Sequence, residues 1–408
     1  MIHDYAGHPF TAAFARHLAH CGVWRVTYVF FAGDGGPKGH NAPLPDDPST
    51  FEIVGLEIAR AYSKTNFIRR RQGDVEYGAA IAQCIAELRP DIVLSSSPTE
   101  CQEAVQRACA KVSARFIYWC QDFYSIAATK ILSRKIPVLG QVIGAWYTFL
   151  ERRQMRRADH VVHITDGFLS VTDRWNVPRD RISVIHNWGV IADIPVLERD
   201  TQWAAEQGLT RKYRAIYSGT LAAKHNPELL ATLAADAQVD CDVVVIGFGA
   251  GADALMQRQN SLPALKVLPL QPFDILPQTL ASADVLLAVI ERDAGAFSVP
   301  SKVLSYLCAG RPIVLAAASD NLAARIVRES GAGVVVDPEN IAEFVAQTRA
   351  LLAAPEQRRA MGLAGRNYAE AHFDLNRVAT TFEDLFSGLY PRGKTLYRNG
   401  SRTIGIAE

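Results

Sequence analysis

The segment FSVPSKVLSYLCAGRPIVLAA, residues 297–317, decides the fold. It reads as a loop, a helix and a buried strand in quick succession. Ser298, Pro300 and Ser301 form a helix start, because proline's fixed φ suits a first turn and serine caps free N–H groups. Gly310 can leave the helix in the left-handed conformation, and Pro312 blocks its continuation. The run PIVLAA at 312–317 is apolar at nearly every position, as a strand covered on both faces requires. A helix feeding such a strand belongs to a βαβ unit, and its amino end offers N–H groups to an anion. Lys302 adds a positive charge one step inside that end.

The same punctuation recurs along the chain. Strands are expected at 24–31, 51–58, 91–97, 114–120, 159–165 and 181–187, with amphipathic helices such as 77–88 and 100–111 between them. After residue 200 the pattern restarts, with strands at 213–219, 241–247, 265–270, 284–290, 312–317 and 331–337. Two α/β doubly wound parallel sheets in tandem follow. A length of 408 residues, too great for one ordinary core, agrees. Beyond Pro355 the chain reads as helix to about residue 389, and the tail has no apolar period. Only Ile2 and His3 precede the polar loop DYAGHPF, so either the first strand is stunted or the natural start lies upstream.

Composition narrows the function. Hydrophobic residues make up 49% and charged residues 21%, which fits a globular protein, and a net charge of +1 gives no case for nucleic-acid binding. The seven cysteines form no CxxC pair and lie in apolar or helical contexts, which predicts reduced, buried thiols and a cytosolic chain. The start has no basic segment followed by an apolar run, so no secretory signal is expected. The run 136–150 is broken by Pro137, Gly140, Gln141 and Gly144 and is too short to span a bilayer.

Ligands of open α/β sheets bind beyond the carboxyl ends of the strands, which selects the loops to read. SGTLAAKHNPE at 218–228 offers Gly219 for close backbone approach, the Thr220 hydroxyl and the Lys224 charge, a plausible diphosphate cradle. GFGAGAD at 247–253 fits a dinucleotide fingerprint, but no carboxylate ends the next strand, and the better reading is a strand tip at Gly247 approached by a ligand. LQPFD at 270–274 places Phe273 beside main chain that a base could use. With Ser298, Val299, Pro300, Ser301, Lys302 and Ser305, these strand tips converge on a phosphate-bearing ligand with a base. Asp240-Cys241-Asp242 spells D-x-D, but it precedes its strand, so no metal site is expected there.

In the order and spacing of HDYAGHPF, PDIVLSSSP, YWCQDFY, ERRQMRRADHVVHIT, ISVIHNW, IYSGTLAAKHNPELL, VVIGFGAG, ASADVLLAV and SVPSKVLSYLCAGRPIVLA, the chain resembles the GT-B glycosyltransferases of family 4 over about residues 2–388. The resemblance implies two Rossmann-like doubly wound domains facing across a cleft. Residues 1–188 would bind the acceptor and 189–370 the nucleotide sugar, 371–390 would be a helix crossing back, and 391–408 a loose tail. It also implies retaining transfer from a nucleoside-diphosphate sugar to a lipid-linked or saccharide acceptor, with no cofactor and no metal. Many members carry two glutamates eight positions apart; counted back from Gly310, those positions hold Phe297 and Ser305. A subset similar to enzymes of exopolysaccharide assembly has Pro-Ser-Lys here. An arginine often following the glycine of the SG turn is Thr220, so Lys224 and Lys302 would carry more of the phosphate load. A polar residue facing the donor sugar would be Gln121 or Asp122, though Asp122 could also be a helix N-cap. Gly7 and His8 fall where the family has its acceptor-side glycine turn. The rival readings are a nucleotide-sugar epimerase of the same fold and a non-catalytic sugar-nucleotide-binding protein.

Between residues 130 and 157 stand Lys130, Arg134, Lys135, Arg152, Arg153, Arg156 and Arg157, opposed only by Glu151 and interleaved with apolar residues including Trp146, Tyr147 and Phe149. Arginines at 69–71 add a second basic spot. Such a segment suits an anionic lipid surface, which predicts a peripheral protein on the inner face of the plasma membrane.

Overall fold

The computed structural model describes residues 1–33, 41–58, 67–222, 225–290 and 301–390. The chain divides into two compact units: residues 1–164, 169–185 and the chain from Asn376 onward, and residues 165–168 with 186–375.

The first unit contains β1 (Ile2–Asp4), α1 (Pro9–His20), β2 (Val26–Phe31), β3 (Phe51–Leu56), α2 (Phe67–Leu88), β4 (Ile92–Ser96), α3 (Thr99–Val112), β5 (Arg115–Cys120), α4 (Tyr124–Lys135), α5 (Pro137–Arg157), β6 (His160–His163), α6 (Leu169–Arg174) and β7 (Ile182–Val184). Its strands form one sheet in the order β3-β2-β1-β4-β5-β6-β7, every pairing parallel. Strand β1 has three residues, yet it is central: Ile2 pairs with Tyr28 on one side and Leu94 on the other. The Met1 amino group donates to the Ile92 carbonyl at 2.9 Å, extending that short ladder by one rung.

The second unit contains α7 (Gln202–Glu206), β8 (Tyr213–Ser218), α8 (Glu228–Ala235), β9 (Cys241–Ile246), α9 (Ala250–Arg258), β10 (Leu265–Leu268), α10 (Leu276–Ala281), β11 (Val285–Val289), α11 (Ser301–Cys308), β12 (Ile313–Ala316), α12 (Leu322–Glu329), β13 (Gly333–Val336), α13 (Ile341–Ala353) and α14 (Pro355–His372). The strand order is β10-β9-β8-β11-β12-β13, again all parallel. Its apolar strands are explained by two cores, one on each sheet face. Ile216, Val244, Leu286 and Leu315 pack in one, while Tyr217, Val245, Leu287 and Val314 pack in the other. Alternate residues of each strand thus serve opposite layers.

In both sheets the order reverses once, between β1 and β4 and between β8 and β11. Those reversals open the crevices in which α/β proteins hold ligands. The helix of the opening segment runs from Ser301 to Cys308, and Gly310 leaves it with φ +64°.

Two expectations change. Cys21 is exposed, at the end of α1, whereas the other six thiols are buried. The helical segment beyond Pro355 is broken after His372, and α15 (Leu375–Leu389) begins anew. This last helix packs its aromatic face into the first unit. Phe382 lies 4.8 Å from Phe14 and 5.9 Å from Trp119 between ring centroids, and Phe386 lies 5.7 Å from Trp24. Asp240 and Asp242 hold the residues before β8: they accept from the Lys212 and Arg211 backbone N–H groups, each at 3.1 Å.

Phe382→Ala should destabilise the first unit by about 3–5 kcal/mol, the range for emptying a buried aromatic site. Urea denaturation followed by tryptophan fluorescence measures this. A loss below about 1 kcal/mol, the scale of a surface change, would show that α15 is peripheral to that core.

Candidate functional site

The reversal between β8 and β11 is closed by tyrosines. Tyr306, on α11, inserts its hydroxyl between the two strand tips. It accepts from the Ser218 N–H at 2.8 Å and donates towards the Leu287 carbonyl at 3.1 Å. This anchors α11 to the two strand tips. One turn earlier on the helix, the Lys302 ammonium donates to the Tyr217 hydroxyl at 2.6 Å and lies 4.0 Å from the centre of its ring. The Tyr217 hydroxyl donates in turn to the Thr220 carbonyl at 2.6 Å. Among the described residues no carboxylate pairs with Lys302, and burial lowers its ammonium to about 7. A lysine whose folded pKa is lowered penalises the fold fully below that value, and the penalty shrinks as pH rises from there and is gone only above the unfolded value of about 10.4. An arriving anion would relieve it.

The glycines around this lysine have distinct uses. Gly219 has φ +129°, and a Cβ there would sit 3.3 Å from both Cε and Nζ of Lys302. At Gly247 a Cβ would stand 2.0 Å from the Gly219 carbonyl oxygen, and at Gly249 and Gly251 it would crowd the Leu221 carbonyl. The GFGAGA glycines therefore let one strand-tip loop pack on the next, main chain to main chain.

The remaining expected residues fall as follows. Thr220 is exposed, Ser305 is partly buried on α11, and Phe273 is partly buried in the turn Phe273–Ile275. Lys224, Ser298, Val299 and Pro300 lie outside the described residues, as does Phe297. Ser301 is the first residue of α11.

The first unit carries a polar cluster at its own strand reversal. Asp4, the last residue of β1, is buried and organises the loop after it. Its carboxylate accepts from the backbone N–H of Ala6 at 3.2 Å and of His8 at 2.8 Å, from His8 Nδ1 at 2.9 Å and from the Thr11 hydroxyl at 3.0 Å. Burial alone would raise the Asp4 carboxyl, but His8 and Thr11 outweigh it and hold it below the usual range. Gly7 makes the turn with φ +67°, and its carbonyl accepts from Asn41 at 2.9 Å. His8 is half-exposed, so its Nδ1 faces Asp4 while its far edge stays open. Burial pulls the imidazolium down, but the Asp4 hydrogen bond and the charges of Asp4 and Asp122 leave it raised.

Gln121 and Asp122 follow β5. Asp122 touches solvent yet is recessed: burial raises its carboxyl, and the charges of Arg70 and His8 only partly offset this. It is not the cap of α4. That role belongs to Glu151, reaching from α5, whose fully buried carboxylate accepts from the Tyr124 and Ser125 N–H groups at 3.1 Å each and the Ser125 hydroxyl at 2.5 Å. Burial pushes Glu151 up to about 7.

Asp4, Tyr217, Tyr306 and Glu151 were not singled out from sequence. Asp4 had a signal, an acid four residues before a histidine in a polar loop after a strand. The tyrosines read as core residues, which they also are.

The Glycosyl transferase 4-like domain model matches residues 7–188, and the Glycosyl transferases group 1 model matches residues 212–354. The chain is 28% identical over 303 residues to WcaI of Escherichia coli (strain K12), a protein named for glycosyl transfer in colanic acid biosynthesis, covering 72% of this chain and 73% of that protein. Among solved structures it is similar to sucrose-phosphate synthase from Thermosynechococcus elongatus, with TM-score 0.74, 12% identity and coverage of 96% and 99% of the two chains. It is also similar to Anabaena Alr3699/HepE in complex with UDP-glucose, with TM-score 0.68, 13% identity and coverage of 95% and 98%.

Asp4→Asn should lower the His8 titration midpoint, because the paired carboxylate is what holds the imidazolium. Histidine NMR against pH reads this directly. The raised His8 pKa stabilises the fold fully below the unfolded value of about 6.5, and that contribution is lost as pH rises through the folded value. A midpoint unchanged in Asp4→Asn would remove Asp4 from this role.

Proposed function

From the premise that this chain is a GT-B glycosyltransferase of the family 4-like type, we propose that it moves a sugar, with retention, from a nucleoside diphosphate to a lipid-linked or saccharide acceptor in surface polysaccharide synthesis. WcaI's name and the UDP-glucose bound to HepE support that direction. The observation that carries it is Lys302: a partly buried cation without a carboxylate partner among the described residues, at the amino end of α11, beside the Gly219 turn and at the reversal of a parallel sheet. That combination suits a diphosphate.

In this reading residues 189–370 bind the donor and 1–188 the acceptor, and 371–390 return the chain to the first unit. The bond from the anomeric carbon to the diphosphate oxygen breaks as the acceptor oxygen bonds to that carbon on the same face. The leaving diphosphate takes the acceptor's proton. The protein's task is to stabilise charge developing on phosphate. Lys302, Lys224 and the backbone N–H groups of Ser298, Val299 and Ser301 do so without a metal, with Pro300 setting the helix start. Gly219, Thr220 and Gly247 shape the phosphate turn, Phe273 lies by the base, and Ser305 bonds a ribose hydroxyl. Gln121 and Asp122 face the transferred sugar, and Gly7 and His8 the acceptor.

A lipid-linked acceptor agrees with α4 and α5. Ile131, Ile136, Val138, Leu139, Val142, Trp146 and Phe149 are all exposed, with Val138 at 79% and Trp146 at 54%. From Val138 to Phe149 they recur at helical spacing, so they form one stripe. Lys130, Arg134, Arg156 and Arg157 are exposed on the same two helices. Arg153 pairs with Glu103 at 2.7 Å and Arg152 donates to the Trp175 carbonyl, so these two serve the fold. No described helix is long and apolar enough to cross a membrane. The stripe would lie in the headgroup region of an anionic leaflet.

Two measurements test this. In a thermal-shift and transfer screen against nucleotide sugars, a donor should raise stability and be turned over. Lys302→Ala should weaken its binding about tenfold or more, the scale of a lost charged hydrogen bond. Equal affinity would remove Lys302 from the phosphate site, and binding without turnover would favour a binding protein. In flotation with anionic vesicles, a variant carrying Val142→Ser, Trp146→Ser and Phe149→Ser should stay in solution while keeping nucleotide binding. Flotation equal to the parent protein would exclude the stripe as a membrane contact.

A further inference from the structure

We infer that Tyr217 is a positioning residue of the donor site: its phenol holds Lys302 at the start of α11 and ties it to the Gly219–Thr220 turn. This rests on the reading of Lys302 as a diphosphate ligand.

The direction of the hydrogen bonds makes the case. A tyrosine hydroxyl has one proton, and an ammonium has three and no lone pair. The Tyr217 proton is committed to the Thr220 carbonyl at 2.6 Å, so the oxygen must present a lone pair to Lys302, also at 2.6 Å. The chain from ammonium to phenol to carbonyl runs one way, and each bond polarises the next. One ammonium proton is used, and two are left for phosphate oxygens.

The phenol cannot follow a wandering lysine. The Tyr217 ring is fully buried, packed in the core of one sheet face with Val245, Leu287 and Val314. It gives the lysine a fixed hydroxyl at its edge and a π-face 4.0 Å from the ammonium. The missing side chain at Gly219 leaves room for Nζ on the other side.

Neutrality is the second reason for a tyrosine. A carboxylate here would hold the lysine too, but it would cancel the charge and repel a diphosphate. Burial keeps the Tyr217 phenol far above its ordinary pKa, so it stays an uncharged acceptor. The lysine is oriented without a counter-charge that would compete with phosphate.

The test is a double-mutant cycle read by calorimetry. UDP, GDP, ADP and dTDP are titrated into the full-length protein, and the tightest is carried forward with its parent nucleoside. Tyr217→Phe keeps the ring and removes one oxygen, so it carries the test even if Tyr217→Leu fails to fold. The expected loss for Tyr217→Phe is about 10- to 150-fold for the diphosphate, the worth of a hydrogen bond to a charged group, and none for the nucleoside. Lys302→Ala should lose at least as much, and the double variant should lose no more than Lys302→Ala alone. Independent losses that multiply, an unchanged Tyr217→Phe, or equal losses for diphosphate and nucleoside would each overturn the positioning role. An unchanged Lys302→Ala, or no binding of any of the four diphosphates by the parent protein, would instead overturn the donor-site reading.

Discussion

The strand-tip end of the second unit depends on one hydroxyl. Where β8 and β11 part, their last main-chain groups have no strand beyond them to bond. Tyr306 supplies the missing partner to both, accepting from Ser218 and donating towards Leu287. An unpaired buried N–H or carbonyl costs free energy comparable to a lost hydrogen bond, so this contact fixes the height and rotation of α11 against the sheet. Lys302 then stands one turn nearer the helix start, over Tyr217. The glycine turns follow from the same constraint, because the loops must pass each other at main-chain contact.

The first unit solves a related problem with a carboxylate. Its central strand is only three residues long, and its last residue, Asp4, gathers the turn that follows by bonding Ala6, His8 and Thr11. The same oxygens that shape the loop therefore orient the His8 ring and set its charge. Structure and site chemistry share a single side chain, which is economical for so short a strand.

The fold was legible because both sheets are buried on two faces. Such strands must be nearly continuous apolar runs, and the short runs separated by helical spacing matched β2 to β13 within a few residues, while the three-residue β1 was too short to carry the pattern. GRP at 310–312 marked the end of α11 for the same kind of reason, since glycine and proline act through the backbone. The site was legible only in part. Gly219, Lys302 and His8 announce themselves by residue type at strand tips. Tyr217 and Tyr306 do not, because their rings satisfy the apolar pattern and their hydroxyls act where sequence periodicity is silent. Asp122 illustrates the converse: its place before a helix suggests a cap, yet the cap arrives from Glu151, 26 residues beyond Ser125. The exposed Cys21 escaped for the same reason, as a helical context does not say which side of a helix end faces water.

Glu151 has a mechanical consequence. One buried carboxylate on α5 grips the first two free N–H groups of α4, immediately after Gln121 and Asp122. The two helices are thus clipped at that end like the arms of a tuning fork, directly after the Gln121–Asp122 loop. A displacement of Glu151 along α5 would therefore be felt at the first turn of α4, next to that loop. The polar residues after β5 thus sit beside a contact held by a helix whose other side faces outward.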